Sequence, residues 1–563
     1  MKRTSIIYFL VILALISVCP GLKSQNTYNG ESREWLKVCT DRTMYISGEK
    51  ALFSVVLCHQ QDHPVEQISK AFYCELITHS GTRLTAGKYL LQNGTGHGIL
   101  TIPEETVSGI YYLKFYTRFM RNGSTADYTY VMLKIINPYK TEVLAGNKFL
   151  DTTNQPKHRG DTAIHDQSLS ITPGKKVYAP REEIMLNISR NSGKGMAVLL
   201  CLSVVPESTF DNQLLPTINP LNTDNSVTYL PETRGISLSG QLIGKKSGKP
   251  VPGAKVNLSI IGDKDILVVR TDSNGRFFFA LPDYHGKKDI FLCADDLPDI
   301  LPEIFIDNDF CSRSVDLSSP RFTLNDEEMK SAFKLAVNSR VRTVFRENIL
   351  TADTMTEVNN TPFYGKPSGI LVMDKYIDLP TLGEYFTELP VAVKLRKTAG
   401  KREFRFYTTQ PDMALYAPLM LVDWVAVNNI EKILAMSPQE INRIELIDSL
   451  YIKGEITYGG IVSFVSKKND FAGIDLPTSG TFVNYRFLEE FNENTLPDTI
   501  PGNIPDARNT VYWNPAVQTN PEGAAKVTFK APDTPGKYTI LLREITPSGE
   551  MLLTEESFVV TDR

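Results

Sequence analysis

Tyr45-Ile-Ser-Gly48-Glu49, followed by Ala51, Phe53, Val55 and Leu57 at every second position, decides the fold class of this chain. The pattern returns as Tyr178-Ala-Pro180-Arg-Glu182, followed by Ile184, Leu186 and Ile188. An apolar residue at every second position is a strand with one buried face. The Gly or Pro ahead of the Glu makes the turn into that strand. Tyr45 and Tyr178 lie too far apart for neighbouring turns of a solenoid. The two copies therefore predict two separate β-sandwiches.

Around the first copy, Ala71–Thr78, Gly98–Ile102, Gly109–Thr117 and Tyr128–Ile136 read as further strands, with a hairpin signal at Asn122-Gly123. Residues 141–169 are polar and interrupted by Gly and Pro, and read as a linker or long loop. Met196–Val205 is apolar enough for a central strand. A third β unit covers 233–308. Val256, Leu258 and Ile260 alternate there, and Thr271-Asp-Ser-Asn-Gly275 signals a hairpin. Residues 325–346 change period: Met329, Phe333, Ala336 and Val344 recur at helical spacing, behind Asn325 as cap with Glu328 three residues on. Residues 361–475 mix strands with a helix, 476–510 are loop-rich, and 511–563 return to strands. The fold class expected is mainly β, with tandem β-sandwich domains plus a small α+β domain. The expected divisions are 1–24, 34–138, 139–232, 233–308, a helical linker at 309–360, 361–475, and a C-terminal β domain at 476–563.

Composition narrows the function. The 563 residues carry 60 Lys+Arg against 64 Asp+Glu, a net charge of −4, which argues against a basic nucleic-acid binder. Lys2 and Arg3 precede an apolar run, Ile6 to Val18, too short to span a bilayer. Residues 1–24 read as an export signal cut after Ser24. Six cysteines follow it, at 39, 58, 74, 201, 293 and 311. They form no compact disulfide framework and read as buried thiols, with one or two disulfides as the alternative in an exported protein.

Four segments resemble known families. The units at 34–138 and 139–232 resemble the macroglobulin-type sandwiches of the alpha-2-macroglobulin superfamily, through Tyr45/Gly48/Glu49 with Ser108-Gly109-Ile-Tyr111, and through Tyr178/Pro180/Glu182. The unit at 233–308 resembles a carboxypeptidase regulatory-like domain, through Gly248-Lys-Pro-Val-Pro-Gly-Ala254 and Asp272-Ser-Asn-Gly-Arg-Phe277. Residues 367–470 resemble the plug domain of TonB-dependent receptors, through Pro418-Leu-Met-Leu-Val-Asp423, Ile441-Asn-Arg-Ile-Glu445 and Tyr458-Gly-Gly-Ile461. The last stretch, with Val511-Tyr-Trp-Asn-Pro515, is similar to the closing β domain of large exported proteins of the Bacteroidota. Two departures limit what carries over. The Cys-Gly-Glu-Gln thioester of trapping macroglobulins is missing, so covalent trapping is excluded. Trp424 stands where the plug pattern has Gly, which predicts a rebuilt turn. Only 93 residues follow Asp470, too few for a transport barrel.

No catalytic constellation emerges. His-Glu-x-x-His, Gly-x-Ser-x-Gly and the phosphate-loop pattern are missing. Cys58, His59 and His63, with Cys74 and His79, lack a structural-zinc spacing and read as a loop with surface histidines. Asp272-Ser-Asn-Gly275 lacks the Glu of a calcium loop and reads as a turn. Lys394, Arg396, Lys397, Lys401, Arg402 and Arg405 form a basic cluster, with Val393, Leu395, Phe404 and Phe406 alternating among them. This reads as a hairpin with an apolar inner face and a charged outer one, and it is the candidate partner-binding site.

The expectation is a non-enzymatic, exported, modular protein of the periplasm or outer-membrane surface, with no cofactor and no metal. Its partners would be envelope or outer-membrane proteins, a TonB-dependent barrel among them, with no nucleic acid. The membrane would be reached through those partners. The alternative is a non-covalent, macroglobulin-like protease inhibitor, with 141–169 as the cleavable loop.

Overall fold

The computed structural model describes residues 34–59, 68–146, 164–165, 169–190, 199–211, 229–294, 300–345, 361–389, 392–398, 401–407, 410–476, 480–490, 500–546 and 549–562. The export signal, and most of the loop expected at 141–169, lie outside them. The protein is mainly β, built as β-sandwiches with one α+β module.

The repeated motif is a corner, and both copies make it with the same hydrogen bonds. Glu49 accepts the Ile46 N–H at 2.8 Å, and Glu182 accepts the Ala179 N–H at 2.9 Å. The amide of each Glu returns a bond to that same residue's carbonyl. The residue before the Glu takes a left-handed backbone in both, Gly48 at φ +87° and Arg181 at φ +62°. Its N–H bonds to the Ile102 carbonyl in one copy and the Ala531 carbonyl in the other. Glycine adopts this conformation freely, whereas Arg181 does so at a cost of roughly 1 kcal/mol. Arg181 is held there by Asp533, with Nε at 2.9 Å and Nη2 at 2.7 Å.

The first sandwich pairs a three-stranded sheet (Glu34–Thr40, Lys50–His59, Thr95–Thr101) with a five-stranded one (Met44–Ile46, Thr129–Ile136, Gly109–Tyr116, Ala71–Ile77, Arg83–Leu90). Phe53 sits between them, edge-on to Phe72, Tyr89 and Phe115 at 5.0 to 6.2 Å. Asn122-Gly123 does not make a tight hairpin. Two 3-10 turns, Phe119–Asn122 and Thr125–Asp127, fill that connection.

The second sandwich is split in sequence. Glu183–Arg190 lies between Leu169–Pro173 and Ala524–Lys530, with Ile184 opposite Phe529. Leu199–Pro206 lies between Gly536–Ile545 and Tyr512–Asn514. The edge strand Val177–Tyr178 pairs in parallel with Met551–Val560, as Met44–Ile46 does with Thr129–Ile136. Ile184, Leu186 and Ile188 share one core with Phe529, Ile540, Leu542 and Phe558. Strand pairing thus differs from a unit at 139–232 beside another at 476–563, because the C-terminal strands close the sheets that the earlier ones open.

The third sandwich is split too. Its sheets are Arg276–Ala280, Ser237–Gly244, Pro302–Ile306, and Ile266–Arg270, Lys255–Ile260, Lys287–Ala294, Thr481–Arg486. The last strand comes from the stretch read as loop. Between its two parts sits the α+β module, with sheet order Gly369–Val372, Ile441–Ile447, Ile461–Ser466, Leu419–Val422, Val425–Ala426. The chain is therefore nested: a module inside a sandwich, itself inside another sandwich.

Helix α1, Asp326–Phe345, starts where the sequence predicts, with Asn325 and Glu328 exchanging 2.9 Å bonds in a capping box. Its packed face differs from expectation. Ala332, Leu335 and Asn338 are buried, whereas Met329, Phe333 and Val344 are 58, 72 and 68% exposed. The reason is its neighbours. A narrow apolar face, Ala332 and Leu335, packs on Met44 and Ile46 of the first sandwich, and polar contacts flank it: Lys134 bonds Glu328 at 2.5 Å, Ser331 bonds the Glu207 carbonyl at 2.7 Å, and Thr534 bonds Asn338 at 2.9 Å.

Candidate functional site

The basic cluster lies on a hairpin of Val393–Thr398 and Lys401–Phe406. Residues opposite one another share a face, so register assigns every charge. Val393 faces Phe406 and Leu395 faces Phe404. Val393 and Phe404 are fully buried, and Phe404 packs on Phe386 of helix α2 (Leu382–Glu388) at 4.7 Å. Lys394 pairs with Arg405 and Arg396 with Glu403 on the outer face, where Lys401 also falls. Lys397 pairs with Arg402 on the inner side, beyond the apolar pairs. The six cations are thus divided between two faces, where alternation predicted one charged face. Lys397 and Arg402 sit at the tip, past the edge of the core.

Most of these cations have partners within the module. Lys394 Nζ donates to the Leu389 and Thr387 carbonyls at 2.7 and 3.2 Å, at the C-terminal end of α2 where carbonyls lack helical donors. Arg396 Nε donates to the Tyr407 hydroxyl at 2.6 Å. Arg402 forms an ion pair with Glu431 in the first turn of α3, Ile430–Leu434. The Glu431 bond raises the Arg402 pKa, and Arg402 lowers that of Glu431. Arg405 bonds Glu403 at 3.0 Å and the Ala414 carbonyl at 2.6 Å. The outer face therefore joins cations to aromatic and apolar groups: Tyr407 follows Phe406 on that side, and Leu415, 76% exposed, follows Ala414. Such a surface suits a partner offering acidic and apolar groups together.

The turn after Leu419–Val422 keeps its tight form despite Trp424. Asp423 and Trp424 both take left-handed angles, φ +46° and +63°, in a two-residue hairpin to Val425–Ala426. Asp423 compensates by accepting the Ser466 N–H and hydroxyl at 2.7 Å each and the Phe471 N–H at 2.9 Å. Trp424 donates its indole N–H to Tyr364 at 3.1 Å.

The other candidates lie at several places in the fold. Cys58 and His59 end one strand, Cys74 is buried in the first core, His79 follows the strand Ala71–Ile77, and His63 lies outside the described residues. Among the described residues no group of three or more His, Cys, Asp and Glu is placed to hold a metal. Asp272 spends its carboxylate on the Asn274 and Arg276 amides at 2.8 Å, as a hairpin turn. No disulfide joins the six described cysteines.

Sequence reasoning missed the buried polar joints between units. Tyr73 bonds Glu232 at 2.9 Å, and Glu232 also takes the Ser237 N–H and hydroxyl. Burial pushes the Glu232 carboxyl up, against the opposing pull of Arg118 and of its hydrogen bonds. Lys88 Nζ meets Asp309 and the Arg486 carbonyl at 2.6 Å and lies over the Tyr485 ring. A second joint links Glu49 to Asn509 at 2.6 Å and to Arg42 at 3.0 Å. These partners are separated by up to 460 positions, so no local pattern announces them.

No protein-family model and no curated protein matches this chain. Solved structures with partial likeness include alpha-2-macroglobulin of Escherichia coli activated by porcine elastase: 10% identity, 94% of this chain, 44% of that chain, TM-score 0.23. The adhesin InvE of Yersinia pseudotuberculosis aligns at 11% identity over 48% of this chain and 58% of its own, TM-score 0.13. Dimeric latent PorU from Porphyromonas gingivalis aligns at 11% over 49% and 34%, TM-score 0.15. This chain spans less than half the length of the macroglobulin it aligns with.

Proposed function

We propose that this is a non-enzymatic, exported docking protein of the bacterial periplasm or outer-membrane surface, an accessory to TonB-dependent transport or envelope assembly. The sandwiches hold the α+β module at 361–476 in place, and the module presents the binding face. The observation that carries this is the outer face of the hairpin, where Arg396 and Arg405 are held beside exposed Tyr407 and Leu415. Buried joints at Glu232, Lys88 and Glu49 favour a fixed presentation of that face, since Tyr73–Glu232, Lys88–Asp309 and Asn509–Glu49 each bridge distant segments, and parting Lys88 from Asp309 would expose an unpaired charge.

The test is affinity capture from envelope fractions with the full exported chain, beside the variant Tyr407→Ser/Leu415→Glu. Both substituted side chains are largely exposed, so the fold should persist by circular dichroism. The wild type should capture an envelope protein that the variant loses. Capture of the same proteins by both, or turnover of a substrate in broad hydrolase screens, would refute the reading.

A further inference from the structure

Where the first sandwich meets the second, two thiols from different units come together. Cys39 lies on Glu34–Thr40, opposite Ser54. Cys201 lies on Leu199–Pro206, opposite Arg543. Both belong to one apolar cluster with Leu52, Val56, Leu199, Trp513 and Ile545, and they are 1% and 0% exposed. Cys39 pairs with Ser54, and Leu202, next to Cys201, pairs with Asn514, next to Pro515. Ser54 in turn donates to the Pro515 carbonyl at 3.0 Å, which fixes the first sandwich against the second at this point. Arg543 Nη2 lies 4.0 Å from the Cys201 sulfur.

The other cysteines are placed differently. Cys58 is opposite Trp35, four residues along the sheet from the Cys39–Ser54 pair, a distance of roughly 13 Å at 3.3 Å per residue. That is well beyond the reach of a disulfide, whose Cα atoms lie within about 7 Å. Cys293 donates to the Ala426 carbonyl at 3.2 Å, and Cys311 meets the Tyr128 hydroxyl at 3.5 Å.

We propose that Cys39 and Cys201 are a disulfide pair that links the first sandwich covalently to the split second one in an oxidising compartment. The compartment, though not the pairing, rests on the export reading above. The oxidant is a small or protein disulfide, R–S–S–R. One cysteine thiolate attacks it, forming a mixed disulfide and releasing R–S⁻. The other thiolate attacks the cysteine sulfur of that mixed disulfide and releases the second R–S⁻. Two cysteine protons leave, the pair loses two electrons, and the oxidant becomes two thiols. Burial holds the Cys201 thiol protonated, so the exchange belongs to folding, before the interface closes.

The test is refolding of the reduced, denatured chain lacking residues 1–24, in a buffer of reduced and oxidised glutathione. Acid quench, alkylation under denaturing conditions and peptide mapping follow. Most molecules should carry one Cys39–Cys201 cross-linked peptide, with Cys58, Cys74, Cys293 and Cys311 alkylated. Cys58→Ser should leave the link intact and Cys39→Ser should abolish it. A chain that regains its circular dichroism with all six thiols alkylated, or that links another pair, would overturn the assignment. The same map on protein alkylated directly from envelope fractions tests the compartment. A link that forms on refolding but is missing there would refute the oxidising location and leave the pairing standing.

Discussion

Substituting the same Glu in the two repeated corners should have very different consequences. Glu49 and Glu182 make the same backbone bond, but their surroundings differ. Glu49 is buried and also receives Arg42 Nη2 at 3.0 Å and Asn509 Nδ2 at 2.6 Å. Glu182 lies at the surface, with the exposed Lys175 as its ion-pair partner. Glu49→Gln removes the charge opposing Arg42, itself 2% exposed, and leaves it Asp41 at 3.4 Å. It also turns an amide group toward donors. Breaking one side of a buried pair costs about 3 kcal/mol or more. Read as amide hydrogen exchange at 44–49, that is a loss of protection of about two orders of magnitude, at about 1.4 kcal/mol per tenfold. The exchange of 509–510 should rise with it, because the Asn509 amide would be held by the Leu335 carbonyl alone. Glu182→Gln should change exchange at 177–182 by less than about tenfold, since exposed ion pairs contribute little. Mass-resolved exchange on both variants decides the matter. Equal losses at the two corners, or a larger one at Glu182, would refute the argument that burial sets the cost.

Other outcomes follow from the same geometry. Glu232 has its carboxyl pushed up by burial, so the folded chain keeps that proton to a higher pH than the unfolded one. Its contribution is full below about pH 4.5 and is lost as pH rises through the folded-state value. The unfolding midpoint of wild type relative to Glu232→Gln should therefore fall as pH rises from 4.5, and a flat or rising difference would contradict this. Asp423→Ala strands three donors around the Trp424 turn and should destabilise the α+β module by about 3 kcal/mol, measured by urea unfolding of that region's exchange. On helix α1, Leu335→Ala should cost about 3 kcal/mol, and Phe333→Ser less than about 0.5 kcal/mol, by thermal unfolding.

The strands were legible because period-two alternation is a local signal: Ile184 and Leu186 are buried on one face as it requires, whereas Lys50–His59 is buried on both, Phe53 and Val55 in its own core and Leu52 and Val56 against the second sandwich. The capping box of α1 was equally local. Its packed face was not, because the apolar patch it meets, Met44 and Ile46, is narrow enough to be covered by Ala332 and Leu335, with Glu207, Asn509 and Thr534 around it. The nesting was hidden for a related reason: alternation says that a strand has a buried face, not which strand lies beside it. The only hint was the repeat itself, since a second copy of the corner needs a partner for Val177–Tyr178, and that partner comes from the C-terminus. At the basic cluster, composition located the hairpin, whereas register decided which cations share a face.

Nesting also sets a timetable for synthesis. Ile184 must wait for Phe529, 345 positions later, before its sheet can close. At roughly 5–20 residues per second, that is roughly 17 to 70 seconds during which a hydrogen-bonding edge stands open beside an apolar face. A stop codon before Ala524–Lys530 would leave the early half permanently in that state, so such a truncation should act as an aggregation lesion of the N-terminal half.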